Sequence, residues 1–263
     1  MTGYDVLAAV YEFLVPDALL EPAGAVAAFA PVIDGLEPGA RVLDCAAGTG
    51  TLAVGLALRG FDVTASDASA SMVGRAQALA RAHGVALRSR VCSWDALASW
   101  DERFDAVLCV GNSLTHAGGA AARQTALAAM AAVLRDGGLL AVTARNWELL
   151  RSTAPGLDVG DRLVERGGRR GLVIRSWELA DGWDSPHRLD VAVAVVGADG
   201  SVECAGERLE CWPFEHETLA AELRGAGLEP ALSTWEPDAE RYLVTARRAA
   251  RAGERGGPAR PRA

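Results

Sequence analysis

Apolar residues in the first half of the chain form short runs, separated for the most part by longer, alanine-rich amphipathic stretches. The apolar runs predict β-strands and the stretches predict helices. The predicted strands are 41–45, 61–66, 85–91, 104–110 and 138–144, and the predicted helices are 50–59, 70–82 and 119–134. Strands joined by helical crossovers indicate a parallel sheet with right-handed connections. Ahead of them, residues 16–36 predict helix, broken at Pro22 and Pro31.

Beyond Arg151 the pattern changes to a period of two. Apolar and polar residues alternate over 170–179, 188–196 and 201–212. Such alternation is typical of antiparallel strands with one solvated face, so we expect an insertion of about three strands. After it we predict a helix and two strands, the latter antiparallel because a short loop joins them; these elements are 216–225, 228–235 and 240–247.

The order of these elements predicts an α/β fold with helices on both faces of the sheet. We divide the 263 residues into a cap with an α/β core, an antiparallel β insertion over the active site, the end of the core, and a disordered arginine-rich tail; the ranges are 1–151, 152–213, 214–248 and 249–263.

Composition restricts the partners and the compartment. The net charge of −8 disfavours binding to nucleic acid or to an anionic membrane. No apolar run approaches the ~20 residues of a membrane span, and we see no export signal at the N-terminus. Five cysteines without a CxxC pair favour reduced thiols in a cytoplasm and no metal site. All 26 basic residues are arginine, which indicates a GC-rich, bacterial genome.

The stretch 41–50 (Arg-Val-Leu-Asp-Cys-Ala-Ala-Gly-Thr-Gly) is the strongest functional signal. A strand leads into a loop in which Gly48 and Gly50 have no side chains to block a ligand, and a helix follows. The next strand ends on Asp67. This layout predicts a nucleotide site, with a helix N-terminus and bare backbone near the ligand and an acid for ribose hydroxyls.

The glycines alone do not choose the nucleotide, since Gly48-x-Gly50-x-x-Ala53 also fits the relaxed NAD fingerprint. Three further features distinguish between the candidate nucleotides. Asp44 precedes the glycines, the fourth strand runs into 111–113 (Gly-Asn-Ser), and 134–140 has a helix-turn-strand form. Together these resemble class I S-adenosylmethionine-dependent methyltransferases from Tyr4 to Arg248. That resemblance implies a seven-stranded Rossmann-like sheet and S-adenosyl-L-methionine as cofactor.

A narrower resemblance comes from three segments. Residues 111–116 (Gly-Asn-Ser-Leu-Thr-His), 145–147 (Arg-Asn-Trp) and 93–94 (Ser-Trp) are similar to stretches of glycine/sarcosine N-methyltransferases. The resemblance implies methyl transfer to the nitrogen of a small amine or amino-acid-like substrate.

The resemblance also implies which residues contact the cofactor. Ala46, Gly48 and Thr49 offer backbone to its methionine part, Asp67 takes both ribose hydroxyls, and Ser93 or Asp95 is the polar partner of the adenine. The full cofactor set is Tyr11, Asp44, Ala46, Gly48, Thr49, Gly50, Asp67, Ala68, Met72, Ser93, Trp94, Val110, Gly111 and His116. Trp94 is either an adenine wall or a core residue.

Arg145, Asn112 and His116 are the candidate catalytic residues. Arg145 follows a buried strand, where a guanidinium needs a partner, and a substrate carboxylate would satisfy it with two parallel bonds. The alternative is an internal salt bridge to Glu148 or Asp158. Asn112 holds the substrate through its amide or shapes a turn.

The chain departs from the resembled family in two ways. No arginine precedes Arg41, so the N-terminal arginine that clasps the cofactor's carboxylate is missing or replaced. The predicted insertion contains no tyrosine and carries tryptophans instead, which line a larger pocket or pack the small sheet; these are Trp177, Trp183 and Trp212.

Three alternatives to an N-methyltransferase stay open. An O-methyltransferase of a natural-product hydroxyl would use His116 or another histidine as base, with Arg145 structural. An oxidoreductase would bind NAD, and a non-catalytic subunit would bind the cofactor without turnover. The expected partner is a small molecule bearing an amine and a carboxylate. The oligomeric state stays open.

Overall fold

The computed structural model describes residues 6–154 and 156–249. Tyr4 and nearly all of the predicted tail therefore lie outside the described residues. Seven strands form the main sheet: β1 (Arg41–Asp44), β2 (Asp62–Asp67), β3 (Arg88–Val91), β4 (Phe104–Cys109), β5 (Leu134–Arg145), β11 (Leu228–Ser233) and β12 (Arg241–Arg248). Their order is β11-β12-β5-β4-β1-β2-β3, which confirms the predicted seven-stranded α/β sheet.

The five strands β1 to β5 run parallel, and β12 pairs antiparallel with both β5 and β11. The helices are α1 (Pro22–Ala28), α2 (Ala30–Ile33), α3 (Thr51–Leu58), α4 (Ala70–Ala82), α5 (Ala120–Ala132), α6 (Trp147–Thr153) and α7 (His216–Gly225). Single-turn or short 3-10 helices cover Leu7–Phe13, Asp17–Leu19, Trp94–Ser99 and Ser113–His116.

Alternate residues of the central strands pack into two hydrophobic clusters. Leu43 and Val107 belong to the larger cluster, which also contains Trp147. Val42 and Ala106 belong to the other. Because both sides of β1 and β4 are buried, these strands appear in the sequence as continuous apolar runs, and this is why pattern alone predicted them.

The insertion is a second, antiparallel sheet of five strands. It consists of β6 (Leu157–Val159), β7 (Val164–Arg166), β8 (Arg169–Glu178), β9 (His187–Val196) and β10 (Val202–Cys211). The three long strands match the predicted ones. The two short strands were missed because three residues are too few to display a period of two.

Several element boundaries were predicted wrongly. β3 begins at Arg88 rather than at residue 85, and α5 ends at Ala132 rather than at residue 134. β5 begins at Leu134, and Gly137 and Gly138 lie inside it, where the register with β4 shifts. The glycines therefore form an irregularity within a strand rather than a turn before one.

Helices α5 and α7 are joined by a buried ion pair that the sequence did not reveal. Arg123 Nε donates to Glu222 Oε2 at 2.6 Å, and Arg123 Nη2 donates to Glu222 Oε1 at 2.8 Å. The guanidinium also lies over the ring of Phe214. Within the described residues, no helix has the length and apolar character needed to cross a lipid bilayer.

Candidate active site

The carboxyl ends of β1 and β4 mark the point where the strand order reverses. From β1 the chain proceeds to β2 and β3 on one side, whereas β4 is followed by β5 on the other. In open α/β sheets, ligands bind in the crevice at such a switch point. The loops after β1, β2, β4 and β5 carry most of the predicted site residues, and the sheet brings these loops to one edge.

Gly48 and Gly50 serve different purposes in the loop after β1. Both have left-handed backbone, with φ of +53° and +82°. A Cβ on Gly48 would meet nothing within 4 Å, so this position leaves space beside the loop. A Cβ on Gly50 would lie 2.5 Å from the Cβ of Ala76 in α4. Gly50 is thus required for helix packing, and the prediction that it opens the ligand site is not supported by its surroundings.

Asp67 fixes the shape of the same loop. One carboxylate oxygen accepts from the Gly48 N–H and the other from the Ser69 N–H, each at 2.9 Å. A carboxylate offers about four acceptor positions, so two bonds to backbone are compatible with further bonds to ribose hydroxyls. Ser69 then caps α4 by accepting from the N–H of Met72, whose side chain is buried.

Asp44 is a buried carboxylate at the end of β1, with 1% of its surface exposed. The pKa of Asp44 is raised to about 7. Burial raises this pKa most, the N–H of Ala46 opposes the rise, and the charge of Asp67 adds to it. Its Oδ1 atom has no hydrogen-bond partner. A buried carboxylate with one oxygen unpartnered favours a cationic ligand, and S-adenosylmethionine carries a sulfonium and an ammonium group.

The backbone groups of the loop limit how it could hold the cofactor. The N–H groups of Ala46 and Gly48 already donate to Asp44 and Asp67. Their carbonyl oxygens accept no hydrogen bond from any described residue, so carbonyls rather than amides are the groups that could face an ammonium. Thr49 adds a hydroxyl, 3.4 Å from that of Thr51.

Tyr11 lies close to this loop. The pKa of its hydroxyl is raised by burial and by the charge of Asp67, while the charge of Arg241 lowers it. The 3-10 helix that carries Tyr11 is held to α4 by Arg75, whose Nη1 donates to Ala8 O at 2.6 Å. These contacts put Tyr11 at the predicted cofactor side of the crevice.

Trp94 contacts the loop after β1. Its indole N–H donates to the carbonyl of Cys45 at 2.9 Å, and the ring packs against the larger hydrophobic cluster. Ser93 precedes it as the cap of a 3-10 helix and hydrogen-bonds the exposed Asp95, which lowers the pKa of that carboxyl. Both candidate polar partners of an adenine are therefore exposed residues that follow β3, and Ala68 is an exposed residue that follows β2.

The loop after β4 is tied tightly to β5. Gly111 N donates to Thr143 Oγ1 at 2.8 Å, and the carbonyl of Val110 accepts from Ser113 Oγ at 2.7 Å. Asn112, at φ +67°, accepts from the Arg145 N–H through Oδ1 at 2.8 Å. Its carbonyl oxygen thus shapes the turn, while its amide NH₂ group has no partner among the described residues.

Arg145 has no ion-pair partner in the described part of the chain, and its buried Nε atom makes no hydrogen bond. The two acids that sequence reasoning offered are engaged elsewhere. Glu148 accepts from the His216 N–H at 2.9 Å, and Asp158 pairs with Arg175 at 3.5 Å. The guanidinium of Arg145 instead lies 5.5 Å from the ring centre of Trp177.

The insertion is fastened directly to the loop after β4. Thr115 and Trp212 exchange two hydrogen bonds, at 2.8 Å and 3.2 Å. His116 Nδ1 donates to the carbonyl of Glu210 at 3.0 Å, which requires the proton on Nδ1. Burial lowers the pKa of His116, so the ring is neutral at pH 7. His116 is therefore not a solvated helix-end residue.

The three insertion tryptophans differ in their surroundings. Trp183 lies under the guanidinium of Arg151, and Trp212 packs on Gly119. Trp177 faces both Trp147, at 6.0 Å between ring centres, and Arg145. Packing thus accounts for the first two, and Trp177 alone borders the candidate substrate side.

Sequence reasoning missed two residues of this region. Thr143 anchors Gly111, and Arg241 lies opposite Arg145 in the register of β12 with β5. Neither belongs to a motif, and only strand pairing brings them to the site. The sequence did draw attention to Asn146, which is structural: it caps α6 and donates to the carbonyls of Glu236 and Pro237.

Comparison with known proteins gives a consistent assignment. Residues 42–138 match a family described as "Methyltransferase domain". The glycine/sarcosine N-methyltransferase of Parasynechococcus marenigrum is 42% identical over 116 residues, which cover 43% of this chain and 41% of that protein. The human glycine N-methyltransferase is 34% identical over 191 residues, 66% of this chain and 64% of that one. The chain thus spans about two fifths of the length of the first of these relatives.

Solved structures share the fold over nearly the whole chain. An S-adenosylmethionine-dependent methyltransferase from Clostridium acetobutylicum superposes with a TM-score of 0.75 at 17% identity, covering 94% of this chain and 99% of that one. An amino pentose methyltransferase from Micromonospora echinaspora with S-adenosylmethionine bound gives a TM-score of 0.66 at 23% identity, covering 95% and 99%. Residues 42–138 of this chain therefore match a methyltransferase domain, the chain resembles the glycine/sarcosine N-methyltransferases, and its fold is that of S-adenosylmethionine-dependent methyltransferases.

Proposed function

We propose that this protein transfers the methyl group of S-adenosylmethionine to the nitrogen of a small amine that bears a carboxylate. The observation that carries the proposal is Arg145, a cation at the carboxyl end of β5 with a buried, unpartnered Nε and no ion pair in the described part of the chain. A guanidinium binds a carboxylate through two parallel bonds, which fixes the orientation of the bound molecule.

The residues around the loop after β1 would hold the cofactor. Asp67 would bind the ribose, Asp44 and the loop carbonyls would face the positive groups, and Tyr11 would cover the site. Bound S-adenosylmethionine supplies a methyl carbon that the positive sulfur already activates. The protein's part is then to align the amine, and proximity with orientation is worth about 7–11 kcal/mol in favourable systems.

The chain's own residues account for that alignment. Arg145 would hold the carboxylate, and the free amide NH₂ of Asn112 would donate to the substrate. Arg145 is half-buried, and an amine that binds beside it in the neutral form would attack through its lone pair without a further base. Asn112 Oδ1 accepts a hydrogen bond from the Arg145 N–H, which holds the two residues next to each other.

The first experiment tests the cofactor. Titration calorimetry with S-adenosylhomocysteine and, separately, with NAD identifies the nucleotide. We expect only the former to bind, and Asp67→Ala to weaken its binding about tenfold or more, since a bond to a charged group is worth roughly 1.5–3 kcal/mol. Binding of NAD alone would replace the methyltransferase proposal with an oxidoreductase.

The second experiment tests the substrate. In a turnover panel of amines and amino acids, Arg145→Met is expected to reduce kcat/KM for carboxylate-bearing amines by roughly tenfold or more. The matched control is Arg188→Met, because Arg188 is an exposed arginine of the insertion that pairs with Glu178. Equal losses in both variants would contradict a substrate role for Arg145.

An O-methyltransferase is the second candidate, and His116 is the observation that favours it. With the Nδ1 proton donated to Glu210 and a lowered pKa, Nε2 is the basic nitrogen of a neutral ring. Turnover of uncharged hydroxyl substrates that survives Arg145→Met but not His116→Gln would favour this function over N-methylation.

A further inference from the structure

Arg241 lies directly opposite Arg145. The strands β12 and β5 are antiparallel, and their register pairs these two residues. Opposed residues of an antiparallel pair have their side chains on the same face, with Cβ atoms about 4.5–5.5 Å apart. Like charges in this arrangement are destabilising. Two guanidinium groups thus extend from opposed positions of these strands, and an anion between them would reduce their mutual repulsion.

The charges around Arg145 agree with this geometry. Its pKa is lowered by burial and then by the charge of Arg241, whereas Glu240 raises it. Arg175 lowers it further, but Arg175 has its own carboxylate, Asp158, at 3.5 Å. An anion bound at Arg145 would offset both the desolvation of the guanidinium and its repulsion from Arg241.

Arg241 also borders the cofactor side. Burial and the charge of Asp67 raise the pKa of Tyr11, and Arg241 opposes them. The charge of Arg241 therefore acts both on the tyrosine beside the cofactor loop and on the arginine beside Trp177.

We infer that Arg241 is a second carboxylate-binding residue, and that Arg145 and Arg241 together hold one carboxylate of the substrate. This inference rests on the proposed function and narrows its substrate class to amines in which a carboxylate lies close to the nitrogen. Two guanidinium groups fix the plane of a carboxylate more firmly than one, because each donates in a rigid fork. The direction of the amine lone pair follows from that plane.

Acetate, a carboxylate without an amine, tests the carboxylate site formed by Arg145 and Arg241 (the seat) apart from catalysis. Its affinity is measured by calorimetry on protein saturated with S-adenosylhomocysteine, for the wild type, Arg145→Met, Arg241→Met and the double variant. Each single change is expected to weaken acetate about tenfold. The double variant should lose less than the product of the single losses, since both residues bind one group.

The matched control is Arg247→Met. Arg247 lies at the other end of β12 and donates to the carbonyl of Gly137 at 3.1 Å. We expect this variant to bind acetate like the wild type. Acetamide, which lacks the charge, should bind all five proteins equally. Affinity for S-adenosylhomocysteine should stay within about twofold throughout, because the seat is not a cofactor anchor.

Three results would overturn the inference: no acetate binding to the wild type, unchanged acetate affinity in Arg241→Met, or a loss of S-adenosylhomocysteine affinity in that variant. The last result would make Arg241 the cofactor's anchor. Acetate binding as expected without methylation of any amine would refute the proposed function and leave the seat intact. Methylation of amino acids with an unchanged KM in Arg241→Met would refute the seat alone.

Discussion

Asp44 is the residue whose chemistry differs most from what its identity suggests. It is a carboxylic acid at the end of β1, beside the loop that the sequence marks as a ligand site, yet it is buried and one oxygen lacks a partner. Its pKa is raised to about 7, mainly because burial penalises the charged form. The folded protein therefore stores an unfavourable charge where a cationic ligand would be favoured.

This pKa predicts a pH-dependent stability. Because the folded pKa lies above that of the unfolded chain, Asp44 contributes stability below about pH 4 that is lost as the pH rises through 7. At pH 8 the ionised carboxylate costs the folded state on the order of 4 kcal/mol. Asp44→Asn should therefore stabilise the cofactor-free protein more at pH 8 than at pH 4, measured by urea unfolding. A difference that does not change with pH would contradict this.

At the same scale, the sequence identified Arg145 and Asn112 but not what they touch. The acids near Arg145 in sequence, Glu148 and Asp158, are bonded to His216 and Arg175. These partners come from other elements, so no local pattern could have excluded the internal salt bridge. The dual use of the Asn112 amide, one end for the turn and one end open, likewise depends on where β5 ends.

The loop and helix after β1 show how one element serves both binding and packing. Gly48 and Gly50 look equivalent in sequence, and both have left-handed backbone. Gly48 faces open space, whereas Gly50 lies against α4. The glycine spacing predicted the strand, loop and helix, but the approach of α4 decided which glycine is free to face a ligand.

Alanine at the two glycines should separate these roles. Gly50→Ala puts its Cβ 2.5 Å from Ala76 Cβ, so we expect a loss of stability of roughly 2–4 kcal/mol from strain and overpacking. Gly48→Ala carries only the backbone strain, about 1 kcal/mol, with reduced S-adenosylhomocysteine affinity. Urea unfolding and calorimetry measure both effects. Equal destabilisation by the two changes would show that α4 does not constrain Gly50.

For the whole molecule, the small sheet is joined to the large one by hydrogen bonds at one end and by packing into the larger hydrophobic cluster. Thr115 and His116 bond the end of β10, and Trp177 packs on Trp147. A separate cluster joins the small sheet to the N-terminal 3-10 helix, through Leu7, Val10 and Phe13. All three residues of β6, an outer strand of the small sheet, are exposed, whereas β4 is almost entirely buried.

This contrast in burial predicts that the edge strands of the small sheet open more often than the central strands of the large sheet. Amide protons of β4 and β1 should exchange by global unfolding, and those of β6 and β7 several orders of magnitude faster, because few apolar contacts hold the edge strands. Native-state hydrogen exchange with mass spectrometry measures this. Protection in β6 equal to that in β4 would show that the two sheets unfold as one unit.

The sequence by itself determined the order and type of the long elements, the βαβ nucleotide loop, and the residues at the ends of strands β1, β2, β4 and β5. It could do so because periodicity, glycine loops and caps are local, and because parallel strands place their carboxyl ends together. Only the tertiary structure decided which groups meet across strands and helices. The opposition of Arg145 and Arg241, the pair of Arg123 with Glu222 and the burial of Asp44 arise from register, helix docking and desolvation. These are contacts between residues far apart in sequence, which leave no periodic trace.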